Sequence, residues 1–135
     1  MPAGRPAARQ SDQVVATDIH IVLVPSPGGP VPTPLPHPFA GTLQTNLAMT
    51  VLINGLPAAT VGSLAINTTP HLPTPPGTSF TVPPRNQGTV QTGSPTVLIG
   101  GRPAARQGDT VMTCNDPVDL PVGSITTGSP TVMIG

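Results

Sequence analysis

The sequence has no tryptophan, no tyrosine, no lysine and no glutamate, and only two phenylalanines, Phe39 and Phe80, among 135 residues. A core built around large aromatic rings is therefore excluded. Charged residues make up 7% of the chain, far below the roughly 25% of ordinary globular proteins. Five arginines balance five aspartates, which leaves no basic footprint for nucleic acid or an anionic membrane. Disorder driven by net charge is excluded for the same reason. The longest apolar run, Ile21-Val22-Leu23-Val24, falls far short of the ~20 residues that span a bilayer. Met1 to Arg5 carries neither the basic nor the apolar region of a secretory signal, so a soluble protein made in the cytosol is expected. Cys114 is the single cysteine, so no internal disulfide can cross-link the fold. A small aliphatic core without disulfides is marginal, and a metal, a partner or oligomerisation is expected to supplement it.

What the chain does have is proline, glycine and a repeat. Pro 21 and Gly 15 together exceed a quarter of the residues, a share that marks disorder unless a repeat organises it. The segment Thr96-Val-Leu-Ile-Gly-Gly-Arg-Pro-Ala-Ala-Arg-Gln-Gly-Asp109 is echoed by Thr50-Val-Leu-Ile-Asn-Gly-Leu-Pro-Ala-Ala-Thr-Val-Gly-Ser63. A third copy is split between the chain ends, as Thr131-Val-Met-Ile-Gly135 and Gly4-Arg-Pro-Ala-Ala-Arg-Gln-Ser-Asp12. The units run roughly over 127–135 plus 1–45, 46–91 and 92–126, and form one domain over 1–135. Because the C-terminal half-copy stops where the N-terminal half-copy resumes, a closed ring of three units is expected, with pseudo-threefold symmetry and meeting termini. Closure also limits exposed edge strands.

The β-branched and aliphatic runs Met49–Ile53, Thr96–Ile99 and Thr131–Ile134 read as strands, and Asn54-Gly55 and Gly100-Gly101 read as hairpin turns. Ile19–Val24 is a further strand. Proline at this density breaks helices, although Leu43–Met49 has room for a turn or two of helix. The fold class is all-β. The proline-rich segments 25–38 and 70–84 favour polyproline II and are read as rigid cover, because both border histidines. A flexible linker or a ligand for SH3-type modules is the alternative.

Two pairings carry more specific chemistry. Arg9 and Asp12 stand three apart, as do Arg106 and Asp109, and in the middle copy both positions change together, to Thr60 and Ser63. Joint presence and joint absence point to a structural Arg–Asp pair within a unit or between units. The second pairing concerns metal ligands. His20 follows Pro6 by 14 residues, His71 follows Pro57 by the same interval, and Cys114 follows Pro103 by 11. Threefold closure would converge these on the axis. His37, between Pro36 and Pro38, adds a fourth donor. Three imidazoles and one thiolate make a tetrahedral set that suits zinc, with iron, cobalt and nickel open as alternatives. Asp18 and Asp116 stand near these residues in sequence and are candidates to accept imidazole N–H bonds. Scattered histidines with an inert buried cysteine are the competing reading.

Pro6-Ala-Ala-Arg9, Pro103-Ala-Ala-Arg106 and the degenerate Pro57-Ala-Ala-Thr60, together with Pro34-Leu-Pro-His-Pro-Phe39 and Thr113-Cys-Asn-Asp-Pro117, resemble the PAAR-repeat and PAAR-like proteins over essentially the whole chain. The resemblance implies a small conical domain with zinc at its apex, held by His20, His37, His71 and Cys114. Its base would cap the trimeric β-helical spike, of valine-glycine repeat or phage type, of a contractile injection system such as type VI secretion. It implies a structural protein rather than an enzyme, assembled in the cytoplasm and carried outward on firing. Neither terminus shows the fused effector domain that many members bear, so a bare tip is expected, with effectors as separate partners. A proline-rich, metal-stabilised interaction adapter and a zinc hydrolase are the alternative functions.

Overall fold

The computed structural model of the chain describes residues 4–135; Met1, Pro2 and Ala3, which open the N-terminal half-repeat, lie outside the described residues. Three short antiparallel hairpins carry the repeated strands. β4 (Ala48–Ile53) pairs with β5 (Leu56–Ala58), and β9 (Leu98–Ile99) pairs with β10 (Arg102–Pro103). The third is assembled across the chain ends, from β13 (Met133–Ile134) and β1 (Arg5–Pro6), with Arg5 opposite Ile134. The expected closure is therefore present. The two continuous hairpins turn on residues with positive φ, Asn54 (52°) with Gly55 (81°) and Gly100 (60°) with Gly101 (81°). Two successive positive φ values define the hairpin turn whose twist matches the flanking strands.

Each Pro-Ala-Ala segment then runs to the pseudo-threefold axis. The Ala8 N–H donates to the Ala105 carbonyl, the Ala105 N–H to the Ala59 carbonyl, and the Ala59 N–H to the Ala8 carbonyl, each at 3.0 Å. One residue pair further out the cycle recurs: Gln10 donates to Pro57 (2.9 Å), Val61 to Pro103 (2.9 Å) and Gln107 to Pro6 (2.8 Å). Six alanines, Ala7, Ala8, Ala58, Ala59, Ala104 and Ala105, are buried here. Backbones this close to an axis leave room for a methyl and no more, which explains why the repeated dipeptide is Ala-Ala.

Beyond the ring each unit contributes one hairpin to a second layer. The strands are β2 (Gln13–Val24), β3 (Val31–Thr45), β6 (Leu64–Asn67), β8 (Gln87–Val90), β11 (Thr110–Thr113) and β12 (Leu120–Ile125). They pair in the order β2-β3-β6-β8-β11-β12, and β12 returns to β2 through Ser124–Val15 and Ile125–Val14. The result is a closed six-stranded antiparallel barrel. Val14, Ala65 and Val111, equivalent positions in the three units, fill it with Leu43, Val90 and Ile125. Two residues before the last three come Gly41, Gly88 and Gly123. A Cβ at Gly41 would lie 2.5 Å from the Ile66 carbonyl oxygen, one at Gly88 2.8 Å from Val111 Cγ1, and one at Gly123 2.9 Å from Thr113 Cγ2. The barrel narrows at this level because only glycine fits there.

Two expectations are corrected. Leu43–Met49 is not helical: β3 continues to Thr45, Asn46 turns at a φ of 54°, and β4 begins at Ala48. Residues 31–38 are not a polyproline loop but part of β3, paired with β2 through Pro32–Leu23, Pro34–Ile21, Pro36–Ile19 and Pro38–Thr17. The prolines occupy every second position. Ala40, of the same parity, turns its N–H to the Asn67 side chain and accepts from Thr68, so this parity faces away from β2. A proline nitrogen there sacrifices no ladder bond and blocks the outer edge against further strands. The proline φ near −65° lies within the extended region. By contrast 70–84 is cover as expected, carrying only the short β7 (Ser79–Phe80), which pairs with Val22 and Leu23 of β2.

The Arg–Asp pairs lie within their own units. Asp12 accepts from the Arg9 backbone N–H at 2.7 Å and from its guanidinium at 3.2 Å. Asp109 accepts from the Arg106 backbone at 2.7 Å and from Nε and Nη2 at 3.1 and 3.0 Å. In the middle unit Ser63 Oγ accepts from the Thr60 N–H at 3.0 Å. All three thus lock the same turn, and the joint change to Thr and Ser keeps the backbone bond while dispensing with the charges.

Two substitutions test this framework. Ala59→Val forces two methyl groups against the ring and is expected to cost about 1–3 kcal/mol, read as a lower urea midpoint at unchanged m. Asp109→Ala removes a buried acceptor from a backbone donor and a guanidinium and is expected to cost about 2–3 kcal/mol; melting indistinguishable from the parent would refute the locking role.

Candidate metal centre

Alternation along the barrel strands decides which side chains enter the interior. On β2 the inward positions are Val14, Ala16, Asp18, His20 and Val22; on β3 they include His37, Phe39, Gly41 and Leu43. The same period that buries Val14 and Leu43 therefore delivers an aspartate and two histidines to the interior past the glycine constriction. His71 arrives from the proline-rich cover and Cys114 from the end of β11. Exposure is 0% for Asp18, 1% for His20, 1% for His37, 8% for His71 and 3% for Cys114.

The structure brings all three histidines together. Ring centroids are 5.0 Å apart for His20–His71, 5.4 Å for His20–His37 and 5.6 Å for His37–His71. The tightest group of donors is Asp18, His20, His71 and Cys114, with one ligand atom from each lying within 4.8 Å of the others. His37 adjoins this group with both nitrogens engaged: Nδ1–H donates to the Leu35 carbonyl at 2.8 Å, and Nε2 accepts from the Thr74 N–H at 3.1 Å.

Asp18 is the hub. Its Oδ1 accepts from the Thr113 hydroxyl at 2.5 Å and from Asn115 Nδ2 at 3.5 Å; its Oδ2 accepts from His71 Nε2 at 2.8 Å and from the Cys114 thiol at 3.6 Å. The expected acceptor role of Asp18 toward an imidazole is thus present, for His71. Asp116 differs. It lies 3.4 Å from His20 Nδ1 without hydrogen-bond alignment, and accepts instead from the Ile21 N–H at 2.9 Å. Asn86 holds the His71 backbone at 2.7 Å, and Asn67 donates to His71 Nδ1 at 3.5 Å. Sequence reasoning gave no role to Asn67, Asn86, Thr113 or Asn115; no local motif marks the first two, while Thr113 and Asn115 flank Cys114 in the Thr113–Pro117 segment. Phe80 and Phe39 flank the cluster, at 5.3 Å from His37, 5.9 Å from His20 and 6.2 Å from His71.

The chemistry fits a metal. Both His20 nitrogens are buried without a hydrogen-bond partner. A buried polar atom left unpaired costs about 1–3 kcal/mol, and a metal ion is the ligand that two imidazoles, a thiol and a carboxylate together select. Burial also sets the protonation states. It lowers the His20 and His37 pKa values, with Asp116 partly opposing it at His20, so these imidazoles are neutral, the form that binds metal. Burial, reinforced by Asp18, raises the Cys114 thiol to about 11, against opposing backbone contacts from Asn86 and Gln87. A metal would bind the thiolate and release that proton.

These shifts fix a pH dependence for the metal-free protein. Below the ordinary histidine value of 6.5 the unfolded chain takes up protons that the folded chain refuses. The stabilisation is therefore complete above 6.5 and is lost as pH falls toward the lowered folded values. For Cys114 the sense is opposite: stability is complete below the ordinary 9.0 and declines toward 11. Urea unfolding after chelation should thus show a maximum between these limits; stability rising on acidification below 6.5 would contradict it.

Residues 82–135 match the family model described as PAAR motif. No curated protein matches the chain. The matched segment contains one of the three Pro-Ala-Ala units whose backbones interlock on the axis, and the other two continue the same cyclic hydrogen bonding through Ala8 and Ala59; the match and this repetition together support a PAAR-repeat protein.

Proposed function

We propose that this protein is the structural tip of a contractile injection system, type VI secretion or a related machine, capping and sharpening a trimeric β-helical spike for membrane puncture and effector delivery. The observation that carries the reading is the set Leu52, Leu98 and Met133. These occupy one position of the three hairpins and are 61%, 64% and 57% exposed, while Ile53, Ile99 and Ile134 beside them join the inner cluster. Single exposed apolar residues are ordinary; three in symmetry-equivalent places form a surface that a threefold partner can cover with three like contacts. One polypeptide with internal threefold symmetry can thereby terminate a three-chain spike. The PAAR motif supports a spike-tip role in contractile injection systems generally.

Within this reading a single structural zinc, its ligands drawn from His20, His37, His71 and Cys114, cross-links the end remote from the hairpins. Structural zinc contributes roughly 10 kcal/mol or more to small domains, which is what a narrow barrel without disulfides lacks. The protein is a structural component rather than an enzyme: its donors suffice to fill a tetrahedron, whereas catalytic zinc keeps a position open. It assembles on the apparatus in the cytoplasm and travels outward on firing, with effectors as further partners.

The spike contact is tested by the triple variant Leu52→Asp, Leu98→Asp and Met133→Asp. Co-elution with the trimeric spike should be lost while the melting temperature of the isolated tip stays within a few degrees; undiminished co-elution would sink the assignment. The staple is tested by elemental analysis. One zinc per wild-type chain is expected, and His71→Ala should lose it and melt lower. A well-folded wild type without metal would refute the staple.

A further inference from the structure

We infer that the cleft at Arg102 is an anion site that takes one carboxylate of the spike partner. The inference rests on the spike-tip reading above and adds the chemistry of the partner. It starts from a mismatch between repeats. Arg5 and Arg102 each stand just before the proline of their Pro-Ala-Ala segment, and Leu56 holds that position in the third unit. Both guanidiniums reach across to the turn of a neighbouring unit. A Cβ at Gly108 would lie 3.5 Å from Arg5 Nη1, and one at Gly62 would lie 3.0 Å from Arg102 Nη1. The residue after Gly108 is Asp109, and Arg5 pairs with its Oδ1 at 3.5 Å. The residue after Gly62 is Ser63. It is wholly buried, and its hydroxyl is already engaged, accepting from the Thr60 N–H at 3.0 Å and donating to the Asn46 carbonyl at 2.8 Å. Arg102 thus stands where its counterpart meets a carboxylate, and meets none. The other four arginines all reach an aspartate: Arg5 and Arg106 share Asp109, Arg9 has Asp12 and Arg85 has Asp119.

A cavity of about 390 Å³ opens beside this arginine, lined also by Asn46, Thr50, Thr60 and Ile99. The planar guanidinium fork matches a carboxylate with two parallel N–H bonds, and Asn46 and Thr50 can add donors of their own. Two observations assign that carboxylate to the spike. Thr50 lies on β4 and Ile99 on β9, the strands that carry Leu52 and Leu98, so the cavity adjoins the proposed spike contact. Charge is also divided along the molecule. Among the described residues the ring and hairpins hold Arg5, Arg9, Arg102 and Arg106 against Asp12 and Asp109, whereas the far end holds Arg85 against Asp18, Asp116 and Asp119. The hairpin end is therefore the positive one, and it favours an acidic partner surface. Asp109 already fills the equivalent place in one unit and Leu56 replaces the arginine in another, so a single carboxylate binds per tip.

Acetate serves as the first probe, on the full chain. The Arg102 side-chain Nε–Hε NMR signal should shift saturably with acetate at constant ionic strength, while those of Arg9 and Arg106 stay in place. Ser63→Asp supplies a carboxylate from within, as Asp109 does for Arg5, and should abolish the shift in a folded chain. An Arg102 signal that acetate leaves unmoved in the wild type would overturn the site. Spike affinity gives the second test. Arg102→Gln should melt within a few degrees of the wild type yet bind the trimeric spike about three- to tenfold more weakly in dilute salt. The loss should shrink at about 0.5 M salt, where exposed charges are screened, and Arg102→Lys should recover part of it. Full affinity in Arg102→Gln, with binding still lost in the Leu52, Leu98 and Met133 triple variant, would overturn the inference and leave the spike-tip reading standing. A wild-type chain that does not bind the spike would overturn both.

Discussion

The cyclic hydrogen bonds among Ala8, Ala59 and Ala105 are the constraint from which the other features follow. Three chain segments can exchange backbone bonds around one axis only if their side chains are nearly absent, so the ring fixes Ala-Ala at each crossing. It also fixes what leaves the ring. On one side the preceding prolines lead back into the repeated hairpins; on the other the Arg9–Asp12, Thr60–Ser63 and Arg106–Asp109 turns redirect each segment into a barrel strand. The side-chain oxygen at the fourth position satisfies the backbone donor at the first in all three units. That requirement tolerates Ser for Asp, which is why the middle unit can lose its ion pair without losing the turn.

Moving away from the ring, the interior changes from aliphatic to polar, and the cause is volume. Val14, Ala65, Val111, Leu43, Val90 and Ile125 fill the barrel where the ring sets its width. At Gly41, Gly88 and Gly123 neighbouring atoms occupy the space of a Cβ, so strand cannot be exchanged for side-chain packing there. Past this level the long β2–β3 hairpin continues above its shorter counterparts, and a hydrophobic core has too few walls to form. Directional contacts take over: Asp18 gathers donors from β11 and from the cover, and Asn86 and Asn67 fix His71. The chain places its only two phenylalanines beside this cluster, where they supply apolar walls that the aliphatic strands do not.

Much of this was legible in the sequence, and the reasons differ by element. The three hairpins and the meeting of the termini could be read because a repeat split across the chain ends has one economical geometry, and because Asn54-Gly55 and Gly100-Gly101 encode their turns locally. The convergence of His20, His71 and Cys114 was legible from the shared offset of His20 and His71 within a threefold repeat. The strand at 31–38 was not, since proline content argues against a ladder until the parity of its nitrogens is known, and parity depends on which neighbour lies on each side. The central place of Asp18 was half legible: alternation puts it on the face of His20, but its partners Thr113, Asn115 and Cys114 come from residues about a hundred positions away. The constriction glycines could have been found, because each stands two residues before the last core aliphatic of its unit.

The polar cluster is also where the protein departs from the rule that a core should be apolar or fully satisfied. A histidine with two unpaired buried nitrogens is a defect in a domain this small, and replacing it by leucine would relieve the defect. Its retention beside a carboxylate, a thiol and two further imidazoles makes sense if a metal provides the bond energy that neither volume nor disulfides can supply at a narrow radius. The price falls on the metal-free state, which leaves both His20 nitrogens buried without a hydrogen-bond partner. Folding and metal binding are then one process: the ring and barrel assemble the donors, and the ion stabilises the end of the molecule that packing alone leaves weakest.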